Sequence, residues 1–73
     1  MGKLRVLSGN EVCHILEQHG FVQIRQRGGH AVMQKQAPTG RISVPVPLHD
    51  EMRPGTLASI IRQSGLPRRL FEL

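Results

Sequence analysis

The chain has 73 residues, enough for one small domain with a thin hydrophobic core. Ten Lys and Arg against five Asp and Glu give a formal net charge of +5, so we expect a polyanionic partner, nucleic acid or an acidic protein. Cys13 is the only cysteine, which excludes an intrachain disulfide and a CxxC zinc framework, and no apolar run reaches the length of a membrane span. We therefore expect a single domain over residues 1–73, cytoplasmic, with no metal, cofactor or membrane contact.

The segment SGNEVCHILEQHG predicts a first helix over about residues 9–19. Ser8 and Glu11 have the spacing of a capping box, in which each side chain accepts a hydrogen bond from a free backbone N–H at the helix start. Apolar residues then recur at helical spacing, and Gly20 can end the helix in a left-handed conformation.

Three strands follow, separated by glycine-containing turns. They are FVQIRQR (21–27), HAVMQKQ (30–36) and RISVPVP (41–47). Gly28 and Gly29 can take positive φ in the first turn. Apolar residues alternate in the third strand, so one face is apolar, and its prolines at 45 and 47 favour a sheet edge or a strand end.

The segment TLASIIRQSG predicts a second helix that Thr56 caps, with Gly65 as its C-cap. The tail PRRLFEL adds one helical turn that packs Leu70 and Phe71. The fold class is therefore α+β, in the order α-β-β-β-α, with a three-stranded antiparallel sheet and helices on one face. This is the layout of a double-stranded-RNA-binding domain.

The stretch RQRGGH places a histidine after two glycines and next to cations. His30 could act as a general acid or base on RNA, because histidine exchanges protons near neutral pH, or it could only flank the turn. Arg25, Arg27 and Lys35 bracket it and are the expected phosphate contacts, gathered on the uncovered sheet face. From the bare sequence the structural role is the commoner one for such a histidine.

Taken in order, HGF, QRGGH, TGR, VPLH and PGTLASIIRQSGL resemble the HicA family of bacterial and archaeal toxins. The most specific segments are GGH at 28–30 and PGTLASIIRQSGL at 54–66. The resemblance covers nearly the whole chain, and it rests on the order and spacing of the segments rather than on any one of them.

The resemblance implies an mRNA-cleaving toxin with a double-stranded-RNA-binding-like fold, held inactive by a cognate HicB-like antitoxin. It carries the catalytic role onto His30 and the turn glycine onto Gly28, while Gly29 stands where many members have serine. His49 matches a histidine that is common after the third strand. We expect Gly28 and Gly29 to contact RNA together with the three cations.

Two other functions stay open at this point. The same basic face could serve a non-catalytic RNA-binding module, or it could receive only an acidic protein partner. The sequence leaves the RNA sequence preference, a second proton-transfer group and the oligomeric state undetermined.

Overall fold

A three-stranded antiparallel sheet is covered on one face by two α-helices in the computed structural model, which describes residues 2–73. The elements are α1 (Gly9–Glu17), β1 (Val22–Arg27), β2 (His30–Ala37), β3 (Gly40–Pro47), α2 (Pro54–Ser64) and a final 3-10 turn (Arg68–Phe71). The strand order is β1-β2-β3, so β2 is central and the proline-containing β3 is an edge strand. The predicted α+β layout is confirmed.

The capping box at the start of α1 is confirmed. The Glu11 backbone N–H donates to Ser8 Oγ at 3.1 Å, and the Ser8 backbone N–H donates to Glu11 Oε1 at 2.8 Å. This second hydrogen bond lowers the pKa of the Glu11 carboxyl, because it favours the ionised form. The helix ends at Glu17, slightly earlier than expected, and Gly20 takes φ +93° in the turn that follows.

The predicted start of α2 is wrong. Thr56 lies inside the helix, which begins at Pro54 with Arg53 as an N-cap that makes no side-chain cap hydrogen bond. Proline suits the first helical position because its φ is already helical and it has no N–H to leave unpaired. The predicted glycine C-cap is confirmed, since Gly65 has φ +72°.

The hydrophobic core lies between the helices and one face of the sheet. The strand residues in it are Ala31, Met33, Val44 and Val46, all with no exposed area. They alternate with exposed or half-buried neighbours, as expected for a sheet that is covered on one face only. Burial raises the pKa of the Cys13 thiol, which keeps this core residue protonated.

The two ends of the chain close this core together. Leu4 forms an antiparallel bridge with Glu72, and the Arg5 backbone N–H donates to the Phe71 carbonyl at 2.8 Å. The pairing buries Leu7 and Phe71, which are 2% and 0% exposed. The predicted final turn that packs Phe71 is thus confirmed, and it is fixed by the N-terminal segment.

None of the helices in residues 2–73 is long and apolar enough to cross a membrane.

Candidate nucleic-acid interface

The turn between β1 and β2 contains only Gly28 and Gly29, so Arg27 and His30 pair directly across it. Gly28 has φ +57°, whereas Gly29 is not in the positive-φ region. Of the two glycines that can take positive φ, only Gly28 does. One positive φ at the first turn position is typical of a type II′ hairpin, whose twist matches the twist of the strands.

The outer side of this turn is open. A Cβ atom added at Gly28 or at Gly29 would meet no other atom within 4 Å. On the inner side, the Gly29 carbonyl accepts a hydrogen bond from the Leu48 backbone N–H at 2.6 Å. The turn is thus anchored to the chain that follows β3, while a bulky ligand can approach its backbone from solvent.

His30 is exposed and lies on the face of the sheet that the helices leave uncovered. Its neighbours in β2 establish this: Ala31 and Met33 point into the core, so the even-numbered positions point away from it. On the neighbouring strands, His30 is paired with Arg27 and with Pro47. Direct cross-strand partners share a face, with Cβ atoms roughly 5 Å apart.

Arg25 and Arg27 share this uncovered face with His30. Arg25 is paired with Val32 and Arg27 with His30, and both arginines are exposed. The strand is irregular between Gln23 and Arg25, but the register is regular from Arg25 to the turn. The structure therefore brings together two of the three cations that were expected around the histidine.

Lys35 does not join them. It is five residues from His30 in the same strand, an odd number, and it is paired with the half-buried Ile42 on the helix-covered side. Its Nζ lies 5.7 Å from the centroid of the Phe21 ring, within the range of a cation–π contact. The expectation that Lys35 gathers with the arginines on the uncovered face is wrong, because register and not sequence proximity determines the face.

The sequence prediction also omitted one cation of this face. Arg41 is paired with Gln36, which is an even-numbered position of β2 like His30, and its side chain is exposed. The alternation in the third strand already puts Arg41 on the face opposite Val44 and Val46, and the β2–β3 register shows that this is the face of His30. The third cation of the uncovered face is therefore Arg41 and not Lys35.

His49 lies in the loop after β3, at the same end of the sheet as His30. Its carbonyl accepts a hydrogen bond from the Gly9 backbone N–H at 2.9 Å, which ties the loop to the start of α1, and its side chain is exposed. Within residues 2–73, no group of three or more His, Cys, Asp and Glu side chains converges in a way that could hold a metal ion.

Comparison with known proteins identifies the family. The family model described as HicA toxin of bacterial toxin–antitoxin matches residues 9–66. The match runs from the first residue of α1 to just beyond α2 and includes the turn with His30. No curated protein matches the sequence significantly. The chain therefore belongs to the HicA toxin family of bacterial toxin–antitoxin systems, and a cognate antitoxin is its implied partner.

Proposed function

We propose that this toxin is a metal-independent endoribonuclease that cleaves mRNA and uses His30 as its general acid or base. The observation that carries the proposal is the pairing of the exposed His30 with Arg27 on the uncovered sheet face, beside an open glycine turn. A proton-transfer group and a cation then stand within reach of one phosphate.

The chemistry follows from these groups. His30 accepts the proton of a ribose 2′-OH, and the resulting oxygen attacks the adjacent phosphorus. The bond to the 5′-oxygen breaks, that oxygen takes a proton from solvent water, and His30 releases the 2′-OH proton to solvent, so the products are a cyclic phosphate and a 5′-hydroxyl. Arg27 stabilises the charge that develops on the phosphate oxygens, and Arg25 holds a neighbouring phosphate. Lys35, as a further RNA contact, stays a prediction that its position does not support.

The glycines contribute space rather than chemistry. Gly28 and Gly29 present backbone without a Cβ, and the region outside them is empty to at least 4 Å. A phosphate can therefore approach the N–H groups of the turn closely. This supports the assignment of both glycines to the RNA contact surface.

The antitoxin can inactivate the toxin by binding to this same face. A HicB-like antitoxin with acidic groups would cover His30 and Arg27 and exclude RNA, and by binding only the folded toxin it would also stabilise it. The test is co-expression, followed by comparison of RNA cleavage by the complex and by the free toxin. A complex that cleaves as fast as the free chain contradicts the masking.

A non-catalytic RNA-binding module is the second candidate, because the uncovered face carries arginines and no carboxylate. The two functions separate in one experiment: purified toxin is incubated with mRNA in a chelator, and the ends of any fragments are analysed. The nuclease proposal predicts fragments with cyclic phosphate and 5′-hydroxyl ends. Tight binding of mRNA without cleavage would favour the binding module. If the protein neither binds nor cleaves mRNA, only the third function, binding of an acidic protein partner, would remain.

A further inference from the structure

The acidic residues of this protein are absent from the whole sheet. All five Asp and Glu lie outside residues 18–49, a stretch that includes every strand and has four Lys and Arg. Two of the five are engaged elsewhere: Glu11 caps α1, and Glu72 accepts a hydrogen bond from Arg68 at 2.8 Å. The charged side chains of the strands on the uncovered sheet face are therefore all cationic, and no carboxylate within the sheet neutralises them.

Arg41 lies at the opposite end of this face from His30. The register pairs His30 with Pro47 and Gln36 with Arg41, so both ends of the face are fixed by backbone pairing. Gln36 is six positions after His30 in β2, a distance of about 20 Å in an extended strand. A polyanion in contact with both ends must therefore run along β2.

Between Arg41 at one end and the Arg25–Arg27 pair near His30 at the other, the face carries uncharged side chains. Gln34 Nε2 donates to Ser43 Oγ at 3.0 Å across the strands, which also confirms that these two side chains share the face. The next pair on this face toward His30 is Val32 with Pro45. No aromatic residue occurs in the strands, so bases have no platform on which to stack, and phosphate contacts at the two ends must supply the affinity.

We infer that the uncovered face binds an extended single strand of RNA along β2, with Arg41 as a phosphate contact remote from the scissile bond. The inference rests on the proposed ribonuclease function in one respect: that function identifies the His30 end of the face as the place where RNA is cleaved. A single strand is favoured over a duplex for two reasons. The uncovered face consists of strands and has no helix that could enter the grooves of an A-form duplex, and in-line attack by the 2′-oxygen needs a backbone that is free to rotate.

The experiment compares Arg41→Gln with Arg62→Gln, which removes an equal charge from an exposed position of α2, on the opposite side of the sheet. Binding is measured with single-stranded 2′-O-methyl RNA of roughly ten nucleotides, a length typical of small single-strand sites. Such RNA cannot attack its own phosphate. Cleavage is measured separately, on unmodified RNA of the same length and on a dinucleotide too short to reach from His30 to Arg41.

For Arg41→Gln we expect affinity for the longer strand to fall roughly fivefold at low salt, with a log–log salt slope shallower by about 0.7. KM for the longer RNA should rise by a similar factor, while cleavage of the dinucleotide stays unchanged. Arg62→Gln should match wild type. Three results would overturn the inference. Arg41→Gln could bind the single strand as wild type does, or Arg41→Gln and Arg62→Gln could lose the same affinity for it. The third result is that Arg41→Gln loses as much affinity for duplex RNA as for the single strand.

The two proposals can fail separately. If wild type does not cleave RNA, the ribonuclease function fails, but the binding assay with 2′-O-methyl RNA still decides whether Arg41 contacts a single strand. If wild type cleaves and Arg41→Gln binds and cleaves the longer RNA as wild type does, the nuclease stands and the extended contact along β2 fails.

Discussion

Arg27 and His30 face each other across a two-residue turn and point to the same side of the sheet. Arg27 is the last residue of β1 and His30 the first residue of β2, so backbone pairing and not side-chain contact sets their separation. The backbone therefore keeps a cation and a proton-transfer group on neighbouring strand positions before a phosphate arrives. The geometry depends on the turn glycine that closes the hairpin.

Gly28→Ala should destabilise the fold by about 1–2 kcal/mol, because alanine is strained at φ +57°. It should also reduce RNA cleavage, since the strain is relieved by a change in the turn that carries His30. Gly29→Ala is the matched control for stability, because its φ is not positive and an added Cβ meets no atom within 4 Å. Denaturant unfolding of both variants tests this; equal losses of stability would mean that the positive φ of Gly28 is unimportant.

Arg27→Gln should weaken RNA binding more than Lys35→Gln does. Arg27 is exposed beside His30, whereas Lys35 lies on the helix-covered side over Phe21. Loss of one phosphate contact with single-stranded RNA should make the log–log salt slope shallower by about 0.7 for Arg27→Gln, with little change for Lys35→Gln. Salt titrations of binding measure both. The reverse order would show that RNA reaches the edge of the helix-covered face.

Gly9→Ala should be strongly destabilising, by about 1–3 kcal/mol, because it overfills a packed contact. The added Cβ would lie 2.7 Å from the Cα atom of Leu48, and backbone on that side cannot move without disturbing the end of β3. Gly55→Ala, in the first turn of α2, is the control: its Cβ meets nothing within 4 Å, and alanine favours a helix. Thermal melts compare the two, and equal melting temperatures would refute the close packing of α1 on β3.

Glu11→Ala should destabilise the protein at neutral pH but not in acid. The Ser8 backbone N–H lowers the pKa of the Glu11 carboxyl in the folded state, so this contribution exists above the ordinary glutamate pKa and is lost as the pH falls through the lowered value. Glu51→Ala, in the exposed loop before α2, is the control. Melting curves from neutral to acidic pH should show the Glu11→Ala difference from wild type shrinking; a difference that persists in acid would contradict a role for the ionised form.

Local features of the fold were predictable because their physical cause is local. The capping box needs only Ser8 and Glu11 three residues apart, and the glycine C-cap of α2 needs only Gly65 after an apolar stripe. The site residues next to the turn, His30 and Arg27, were likewise predictable, since a two-residue loop forces its flanks to pair.

What the sequence could not supply depends on register and on long-range contacts. The face of Lys35 and the presence of Arg41 beside Gln36 follow from which residues pair across β2 and β3. The bridge between Leu4 and Glu72 joins the two ends of the chain, and neither segment carries a strand pattern of its own. The start of α2 at Pro54 was missed because Thr56 could cap a helix with its side chain, whereas the N-cap that forms, Arg53, makes no side-chain cap hydrogen bond.

The most direct test of the account is RNA cleavage in chelator by His30→Ala, measured alongside its thermal melt and its affinity for 2′-O-methyl RNA. Because His30 is exposed, the variant should melt as wild type does and should bind RNA with nearly the same affinity. Cleavage should fall by about 100- to 10,000-fold, the typical effect of removing a positioned acid–base group. A folded His30→Ala variant that cleaves RNA at the wild-type rate would contradict the account.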